Sequence, residues 1–574
     1  MGVFSKLFKS VTNLLGEVLG FLVGADFDDQ SQAEGVLVNK SSNIANIPVI
    51  YGTRKVGGTR VFLSTGGNDN KYLYMALVLC EGEIDSIGDV FINDTISTDS
   101  KYNGLVTIDK KLGTDDQTYS QVLAGATDTW GANHRLRGIA YLGLRLEYNQ
   151  DAFGSIPDIK CIVNGRKVYD PRDSNQSFSD PTTWTFSQNP ALCLRDYLSN
   201  DRFGKGLSAS QINDTSIIAA ANVCDTTVTE YQGSSNTQKL LTTNAVIDTN
   251  KKLFDNVKIL LQGMRGLMPF QDGKYTLLID AAAPAGTPFR LDNSNITSEI
   301  QVTSSGKNKK YNRVRAKFVN PEANWQEDSV DWPPNDSTYT GFLAEDNGEE
   351  LLRNVTLNTI TNYYSARDIA RIICRASREH QLTVELTALP EALSIAVGDV
   401  VELEHDSLGW TGSAIQDMRV LSMGLQESGE VKLTLQEYTN VYTWQEGPEE
   451  GENTETTIPN PFSVEPPTAL SLTQGVNVAE DGSNIPYLDV AFTAAEDAFV
   501  VEYIINISPS GFDPSEVRMT TASLTAAQVA GTDQIKYLIN PALVTTYTVE
   551  VWAVNDAGVR STSVSANISV TGDV

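Results

Sequence analysis

The chain contains little histidine and little cysteine for its 574 residues. Histidine occurs only as His134, His380 and His405, so few side chains are suited to acid–base chemistry near neutral pH or to binding a transition metal. The cysteines are Cys80, Cys161, Cys193, Cys224 and Cys374. They lie far apart and form no CxxC pair, which argues against a zinc site or a dense disulfide framework. We therefore expect buried free thiols, folding in a reducing cytoplasm, and no metal or other cofactor.

The motifs of common catalytic sites are also missing. Neither GxSxG nor HExxH occurs in the sequence. Residues 52–59 have the glycine spacing of a P-loop, but Gly58 stands where the phosphate-binding lysine is required. A site built from residues distant in the sequence stays open as an alternative. The sequence nevertheless predicts a protein that is not an enzyme.

Positive charge is in deficit. The chain has 43 Lys and Arg residues against 72 Asp and Glu residues, a net charge of −29. Because phosphates would be repelled, this balance argues against a surface that binds nucleic acid. It suits a soluble protein, or an acidic wall past which an anionic molecule must move without adhering.

The N-terminal 25 residues have the periodicity of an amphipathic helix. Apolar residues recur there at steps of three and four. These residues are Phe4, Leu7, Phe8, Val11, Leu14, Leu15, Val18, Leu19 and Leu22. Gly16 and Glu17 interrupt the apolar run, which is typical of neither a signal peptide nor a membrane span. Two interpretations carry similar weight: a helix packed on its own domain, or a helix that docks on a partner. Membrane insertion is the third.

The remaining chain divides into five parts by pattern. We predict a first β domain over residues 26–185, an α/β domain over 186–297, a second β domain over 298–445, an acidic linker over 446–467 and an all-β domain over 468–574. Within the first, residues 72–79 predict a strand buried on both faces, and Asn164-Gly165 predicts a hairpin turn. Residues 95–135 predict a long exposed loop or small insertion. Helices are predicted over residues 189–200, 208–225, 250–263 and 362–380.

Two basic rows stand out in so acidic a chain. Arg313, Arg315 and Lys317 alternate along a predicted strand. The second row lies on the long helix, on the side opposite its buried stripe, and consists of Arg367, Arg371, Arg375 and Arg378. We favour a solvated face that pairs with the excess carboxylates. Contact with phosphate is the weaker alternative, because no stacking aromatics are interleaved.

The last 107 residues resemble a fibronectin type III module. Residues 543–558 read LVTTYTVEVWAVNDAG, which is similar to the family's signature around strand F. The resemblance implies that Tyr547 is the tyrosine-corner residue, with its hydroxyl tied to the backbone, and that Val549 and Val551 face the core. Phe492 departs from the family, which usually carries tryptophan on strand B.

Several blocks further upstream together resemble the phage tail-tip hub proteins, a family that includes the lambda-type tip attachment protein and the gene transfer agent hub. These hub blocks occur in the family's order along residues 35–445. They are IPVIYGTRKVGG (47–58), DYLSNDRFGKG (196–206), NVKILLQGMRGLMPFQDG (256–273), ARDIA (366–370), and VGDVV (397–401) followed by Gly409-Trp410 and Arg419-Val420.

The resemblance implies a multidomain, β-rich α+β fold: two hub domains of β-barrel type, an α/β domain and a terminal fibronectin type III sandwich. It implies a homotrimer that closes the tail tube, organises the tip and lets DNA pass in transit. The implied partners are the distal tail protein, other tip proteins, the end of the tape-measure protein, receptor-binding fibres and the host envelope. The basic rows would then face protein neighbours. Assembly would occur in the host cytoplasm, and the finished protein would lie at the virion tail tip.

Two rival classes stay open. One is a secreted or surface-anchored adhesion protein, with the N-terminal helix as a membrane anchor and the fibronectin unit as the adhesive module. The other is a tail-tip enzyme such as a peptidoglycan hydrolase, although no block of that kind is visible in the sequence.

Overall fold

A computed structural model describes residue 37, residues 39–41, 45–447 and 464–572, with short gaps between them. The gaps are 129, 151, 154, 272, 281–286, 307–308, 496–498, 525–528, 531–533 and 557. The chain divides into two compact units, residues 1–454 and 455–574, and this boundary falls inside the predicted linker. The predicted N-terminal helix, with Phe4 through Leu22, and most of the acidic linker lie outside the described residues.

The first region folds into strands β1–β11. They are β1 (Lys40–Ser41), β2 (Val49–Tyr51), β3 (Thr53–Val56), β4 (Thr59–Gly66), β5 (Tyr72–Glu81), β6 (Ile84–Ile92), β7 (Thr95–Ile96), β8 (Val106–Leu112), β9 (Ile139–Glu147), β10 (Ile159–Val168) and β11 (Thr185–Phe186). One sheet has the order β1-β4-β5-β9-β8. The other has the order β11-β10-β6-β7, with β3 also paired to β10. Side chains of both sheets share one core, including Leu77, Val90 and Val163.

Strand β5 is buried on both faces, as predicted. One face, with Met75 and Leu77, joins the core between the sheets. The other, with Tyr74 and Ala76, is covered by Leu123 from the segment that follows β8. A continuous apolar run is the pattern expected when neither face of a strand meets water.

The predicted hairpin at Asn164-Gly165 is wrong, because β10 runs straight through it. The backbone N–H of Gly165 donates to the carbonyl of Gly52 at 2.8 Å. A Cβ atom at Gly165 would lie 2.2 Å from the carbonyl oxygen of Ile50. The glycine is therefore required by close approach of a neighbouring backbone rather than by a turn. The Asn164 side chain accepts a hydrogen bond from the Thr53 hydroxyl at 2.8 Å.

The predicted exposed loop over residues 95–135 is also wrong in part. Strand β8 lies inside it and pairs antiparallel with β9. Polar residues such as Asp109 and Lys110 on this edge strand obscure the apolar alternation that would have indicated it. Further along, Leu123 and Trp130 are buried against Tyr141, so the segment covers the sheet.

The middle region places helices beside short strands. Its elements are α1 (Pro190–Ser199), α2 (Asp214–Cys224), β12 (Thr227–Thr229), β13 (Thr237–Lys239), β14 (Ala245–Ile247), α3 (Leu253–Gln262), β15 (Gly266–Leu267), β16 (Phe270–Gln271), β17 (Lys274–Tyr275) and β18 (Leu278–Ile279). Side-chain oxygens of Asn189 and Asn213 cap α1 and α2. Ser208 caps only a 3₁₀ turn, so the predicted helix over 208–225 begins later than expected. Because β14 pairs with β2, the middle region is joined directly to the first.

The third region contains two sheets and the long helix. Its elements are β19 (Phe289–Leu291), β20 (Gln301–Ser304), β21 (Arg313–Asn320), β22 (Gln326–Trp332), α4 (Ser337–Glu345), β23 (Leu352–Thr356), α5 (Tyr363–Glu379), β24 (Leu382–Ala388), β25 (Val400–Leu403), β26 (Gln416–Leu425) and β27 (Val431–Glu437). Six strands form a sheet in the order β19-β25-β26-β27-β24-β20, and β22-β21-β23 form another. Apolar residues of α5 share a core with the three-stranded sheet.

Two domain details differ from the sequence interpretation. Strand β19 belongs to the six-stranded sheet, so the predicted boundary at residue 298 cuts through that sheet. The three-stranded sheet with α5 is an α/β layer inside the predicted second β domain. The end strands β19 and β20 do not pair with each other among the described residues, and closure into a barrel stays a prediction.

The terminal unit is a sandwich of two antiparallel sheets. Its strands are β28 (Thr468–Val478), β29 (Asn484–Thr493), β30 (Val500–Pro509), β31 (Ser515–Thr520), β32 (Val529–Ala530), β33 (Gln534–Ile539), β34 (Thr546–Asn555) and β35 (Val564–Ser569). The sheets have the orders β28-β29-β33-β32 and β31-β30-β34-β35. Phe492, Val549 and Val551 are fully buried between them. The Tyr547 hydroxyl accepts a hydrogen bond from the backbone N–H of Leu543 at 2.7 Å.

The five cysteines are all free and buried, as the sequence predicts. Among the described residues, no helix combines the length and the apolar character needed to cross a membrane.

Candidate functional site

The hub blocks supply many of the buried charges of the first unit. The first of these groups, the Asp196 cluster, consists of Tyr51, Arg166 and Asp196. Asp196 lies on α1 and accepts hydrogen bonds from the Tyr51 hydroxyl at 2.6 Å and from Arg166 Nε at 3.1 Å. Burial, reinforced by the carboxylate of Asp196, raises the pKa of Tyr51 well above its usual value. The phenol therefore stays protonated, and the cluster joins β2, β10 and α1.

A second ion pair extends from the other side of α1. Arg195 donates to both carboxylate oxygens of Asp214 on α2, at 2.8 and 3.0 Å. Its guanidinium also lies 4.7 Å from the ring centres of both Tyr169 and Phe178. Such bidentate and ring contacts suit arginine and not lysine, and they tie two helices to the loop after β10.

The Asp368 cluster joins three more segments. It consists of Arg265, Asp368 and Arg371, which are almost wholly buried. Arg371 Nε and Nη2 donate to Asp368 Oδ1 at 2.9 and 2.6 Å. Arg371 also donates to the backbone carbonyls of Val441 and Thr443, at 2.9 and 2.8 Å. Arg265 Nη1 lies 3.7 Å from Asp368 Oδ2.

Arg265 reaches this position through an unusual backbone. It follows α3 in a left-handed conformation with φ of 52°. Its Nε donates to the carbonyl of Asp280 at 3.3 Å. Burial lowers the pKa of Arg265, and the facing Asp368 opposes that shift. The strained backbone is therefore held by contacts on both sides of the guanidinium.

A neighbouring ion pair closes the network under the six-stranded sheet. Arg419 on β26 pairs with Asp280, and its guanidinium lies 4.7 Å from the Tyr438 ring centre and 5.1 Å from that of Tyr442. A cavity of about 10 Å³, the size of one water molecule, lies between these residues and His380. Burial lowers the pKa of His380, which favours the neutral imidazole, and Nε2 lies 3.0 Å from the Thr439 carbonyl oxygen and 3.2 Å from the Thr439 nitrogen.

The strand row of the predicted basic residues pairs within its own sheet. Arg315 binds Asp331 at 2.7 and 2.8 Å, and Lys317 lies 3.3 Å from Glu327. Arg313 donates to Asn335, and its guanidinium lies 3.5 Å from the Tyr339 ring centre. The structure places each of these cations against a partner in the same chain.

The helix row does not share one solvated side, and its prediction is wrong for Arg371. That side chain is buried in the Asp368 cluster, because residues 438–445 cover the side of α5 opposite its sheet. Arg378 pairs with Asp346 at 2.7 Å, and Arg375 pairs with Glu379 at 2.7 Å. Arg367 donates to the carbonyl of Gln445 at 3.3 Å. Arg371, Arg375 and Arg378 each pair with a carboxylate, but only Arg375 does so on a partly exposed face, as the favoured interpretation expects.

This network has a structural role. Its charged side chains contact fixed partners on other segments, and these contacts hold the segments together rather than transferring a proton. No group of three potential metal ligands occurs in the described ranges. The sequence places Asp196, Arg265 and Asp368 within the hub blocks but indicates no role for them. The signal that could have found them is a charged residue inside a helix or strand pattern whose other residues are buried.

Residues 254–417, which contain the whole Asp368 cluster, match the family model described as "Putative phage tail protein". The baseplate hub protein pb3 of Escherichia phage T5 is 24% identical over 464 residues, covering 68% of this chain and 47% of that protein. The chain is similar to a baseplate hub protein of a phage tail over most of its length. The predicted resemblance is thereby confirmed.

A solved structure shares the fold. One chain of the virion of a native gene transfer agent particle superposes with a TM-score of 0.52 at 16% identity, covering 79% of this hub-related chain and 97% of the other. This likeness shows that the two chains share a β-rich fold. The chain spans about half the length of the curated relative it matches.

Proposed function

We propose that the chain is the central hub of a long-tailed phage tail tip, a structural and non-enzymatic protein that closes the tail tube as a homotrimer. The observation that carries this proposal is the relationship to a baseplate hub protein over 464 residues. Three charged residues of the hub blocks, Asp196, Arg265 and Asp368, are buried and hold neighbouring segments together, as a rigid scaffold requires. Three copies, each with two β regions, would present six similar faces to a hexameric tube.

Rigidity is the property that the buried network would supply. A buried ion pair contributes little net stability, but breaking one costs about 3–5 kcal/mol because a charge is left uncompensated. The Asp196 cluster and the Asp368 cluster together link β2, β10 and α1, and α3, α5 and residues 441–443. Movement of any of these segments would break an ion pair and incur that cost. A ring that must stay closed until infection benefits from such coupling.

DNA would be a passenger and not a ligand. The chain has a net charge of −29, and the cations of both basic rows are engaged by internal partners. A wall with this charge repels phosphate, so DNA leaving the capsid would pass without adhering. Organisation of neighbouring tip proteins, the distal tail protein and the end of the tape-measure protein would then depend on other surfaces.

The terminal unit supports a fibronectin type III assignment. Its two antiparallel sheets form a sandwich of the kind that includes those domains. Tyr547 binds the backbone a few residues upstream, as a tyrosine corner does. We assign the module to contacts with receptor-binding fibres or the host envelope, at the virion tail tip, after assembly in the host cytoplasm.

The mass of the purified full chain in solution tests the proposal. Light scattering behind a sizing column should give three times the mass of one chain, and labelled duplex DNA should not shift in mobility at physiological salt. A single-chain mass at every concentration would contradict self-closure of the ring. Salt-sensitive DNA binding by the same sample would contradict passage without adhesion.

A further inference from the structure

A groove of about 280 Å³ lies where β5 begins and β9 ends. Its inner side belongs to the apolar core of the first region, because Leu146 and Phe153 are members of that core and Leu73 packs against it. Its outer side is open to solvent, since Tyr148 is 73% exposed and Ile156 is 48% exposed. An apolar core that reaches the surface in this way is typical of a site that another apolar element covers.

The uncovered apolar surface continues from the groove along β4. Thr65 lines the groove and lies opposite Leu73 in the strand register, and Leu63 lies opposite Met75. Because side chains alternate along a strand, Leu63 is on the same side of β4 as Thr65, and it is 42% exposed. The surface is therefore longer than the groove itself, a shape that suits an amphipathic helix.

The N-terminal part of the chain joins the described residues beside this groove. The Asn39 side chain donates to the Ile159 carbonyl and accepts from the Ile159 N–H, both at 2.7 Å. Pro157, which lines the groove, comes shortly before Ile159 in the sequence. Residues 23–36 can span up to about 45 Å when extended. The apolar stripe of residues 4–22 is therefore tethered within reach of the groove.

We propose that this apolar stripe docks as a helix in the groove of its own chain. An isolated amphipathic helix is marginal in water, because its stability comes from packing of the apolar face. The groove is about twice the size of an engineered cavity of about 150 Å³ that holds benzene, so it has room for about two apolar side chains. A tethered segment also competes well with any free partner, because the tether gives it a high effective concentration. The inference goes beyond the homotrimer and does not depend on it.

The reactivity of one introduced thiol tests this proposal on the full chain. The five native cysteines are buried, so a maleimide modifies a thiol at a surface position selectively. Ile156→Cys should react at least about tenfold more slowly than Leu425→Cys, although Leu425 is similarly exposed in the described structure. Adding Leu15→Asp, within the stripe, should remove this protection. Adding Asn13→Asp, on the opposite side of the predicted helix, should leave it in place.

Each other outcome overturns the proposal. Fast reaction of Ile156→Cys in the otherwise unmodified chain means that the groove is open. Protection that survives Leu15→Asp, or that Asn13→Asp also removes, means that something other than the stripe covers Ile156. Protection that is lost on dilution means that a second copy supplies the cover. The native cysteines report whether each variant is folded, because unfolding exposes them to the same reagent. If Leu15→Asp exposes them, Leu15→Ser takes its place.

Discussion

Asp368 and Arg371 lie one turn apart on α5 and form an ion pair that is buried from solvent, with Arg371 Nη2 2.6 Å from Asp368 Oδ1. Pairs at this spacing on an exposed helix surface add only a few tenths of a kcal/mol. This pair has a different role, because Arg371 also binds the carbonyls of Val441 and Thr443 and so fixes the chain that leaves the six-stranded sheet. One helix turn thereby ties the α/β layer to the end of the first unit.

Replacing Arg371 should be far more damaging than replacing its neighbour on the next turn. Arg371→Met leaves the buried Asp368 carboxylate with only the 3.7 Å contact to Arg265, and we expect the free energy of unfolding to fall by about 3–5 kcal/mol. Arg375→Ala, which breaks a half-exposed pair with Glu379, should cost about 0.5 kcal/mol. Urea unfolding of the full chain measures both. Similar losses for the two variants would contradict a structural role for the Asp368 cluster.

The Asp196 cluster predicts a dependence of stability on alkaline pH. The pKa of Tyr51 is raised above its usual value of 10.0 by burial and by Asp196. An unfolded chain therefore loses this proton at a lower pH than the folded chain does. The stability that the phenol contributes is complete below pH 10 and is lost as the pH rises further.

Tyr51→Phe isolates this contribution. Near pH 7 the variant should be less stable by about 1.5–3 kcal/mol, because the Asp196 carboxylate loses the hydrogen bond that the Tyr51 hydroxyl donates. The difference in stability between the two proteins should shrink as the pH is raised from 9 to 11, because only the unmodified chain has this phenol proton to lose. Denaturant midpoints across that range measure the difference, and a constant gap would contradict the assigned pKa direction.

Gly165 provides a test of why β10 is continuous. Gly165→Ala should destabilise the first unit by about 1–3 kcal/mol, because the new Cβ atom would lie 2.2 Å from the Ile50 carbonyl and force the strands apart. Gly131→Ala is the control, since no atom lies within 4 Å of a Cβ atom there. Thermal unfolding compares them. If Gly165→Ala and Gly131→Ala lower the unfolding temperature equally, the close approach is absent.

The accuracy of sequence interpretation depended on whether the signal was local. Helix α5 was predicted to within about one residue at each end, because its apolar stripe and its Asn362 cap are local features. The interior position of Arg371 could not be predicted, since the segment that covers it begins some sixty residues later. Likewise Asn164-Gly165 has the local pattern of a turn, and only a backbone more than a hundred residues away in sequence makes it a strand. Asp196 and Tyr51 lie 145 residues apart in the sequence, so no local pattern predicts their contact.

The terminal unit offers a final prediction about its own fold. The Tyr547 hydroxyl accepts the Leu543 N–H at 2.7 Å, and the ring is almost wholly buried in the sandwich core. Tyr547→Phe keeps the ring and removes that acceptor, so the terminal unit should lose about 0.5–1.5 kcal/mol. Tyr537→Phe is the matched control, because no backbone N–H donates to the Tyr537 hydroxyl in the described part of this sandwich.

Since residues 455–574 form a separate compact unit, calorimetry of the full chain should show the shift in one transition and leave the other in place. A shift of both transitions by Tyr547→Phe would mean that the two units unfold together, and equal shifts by both variants would remove the tyrosine corner as a cause of stability.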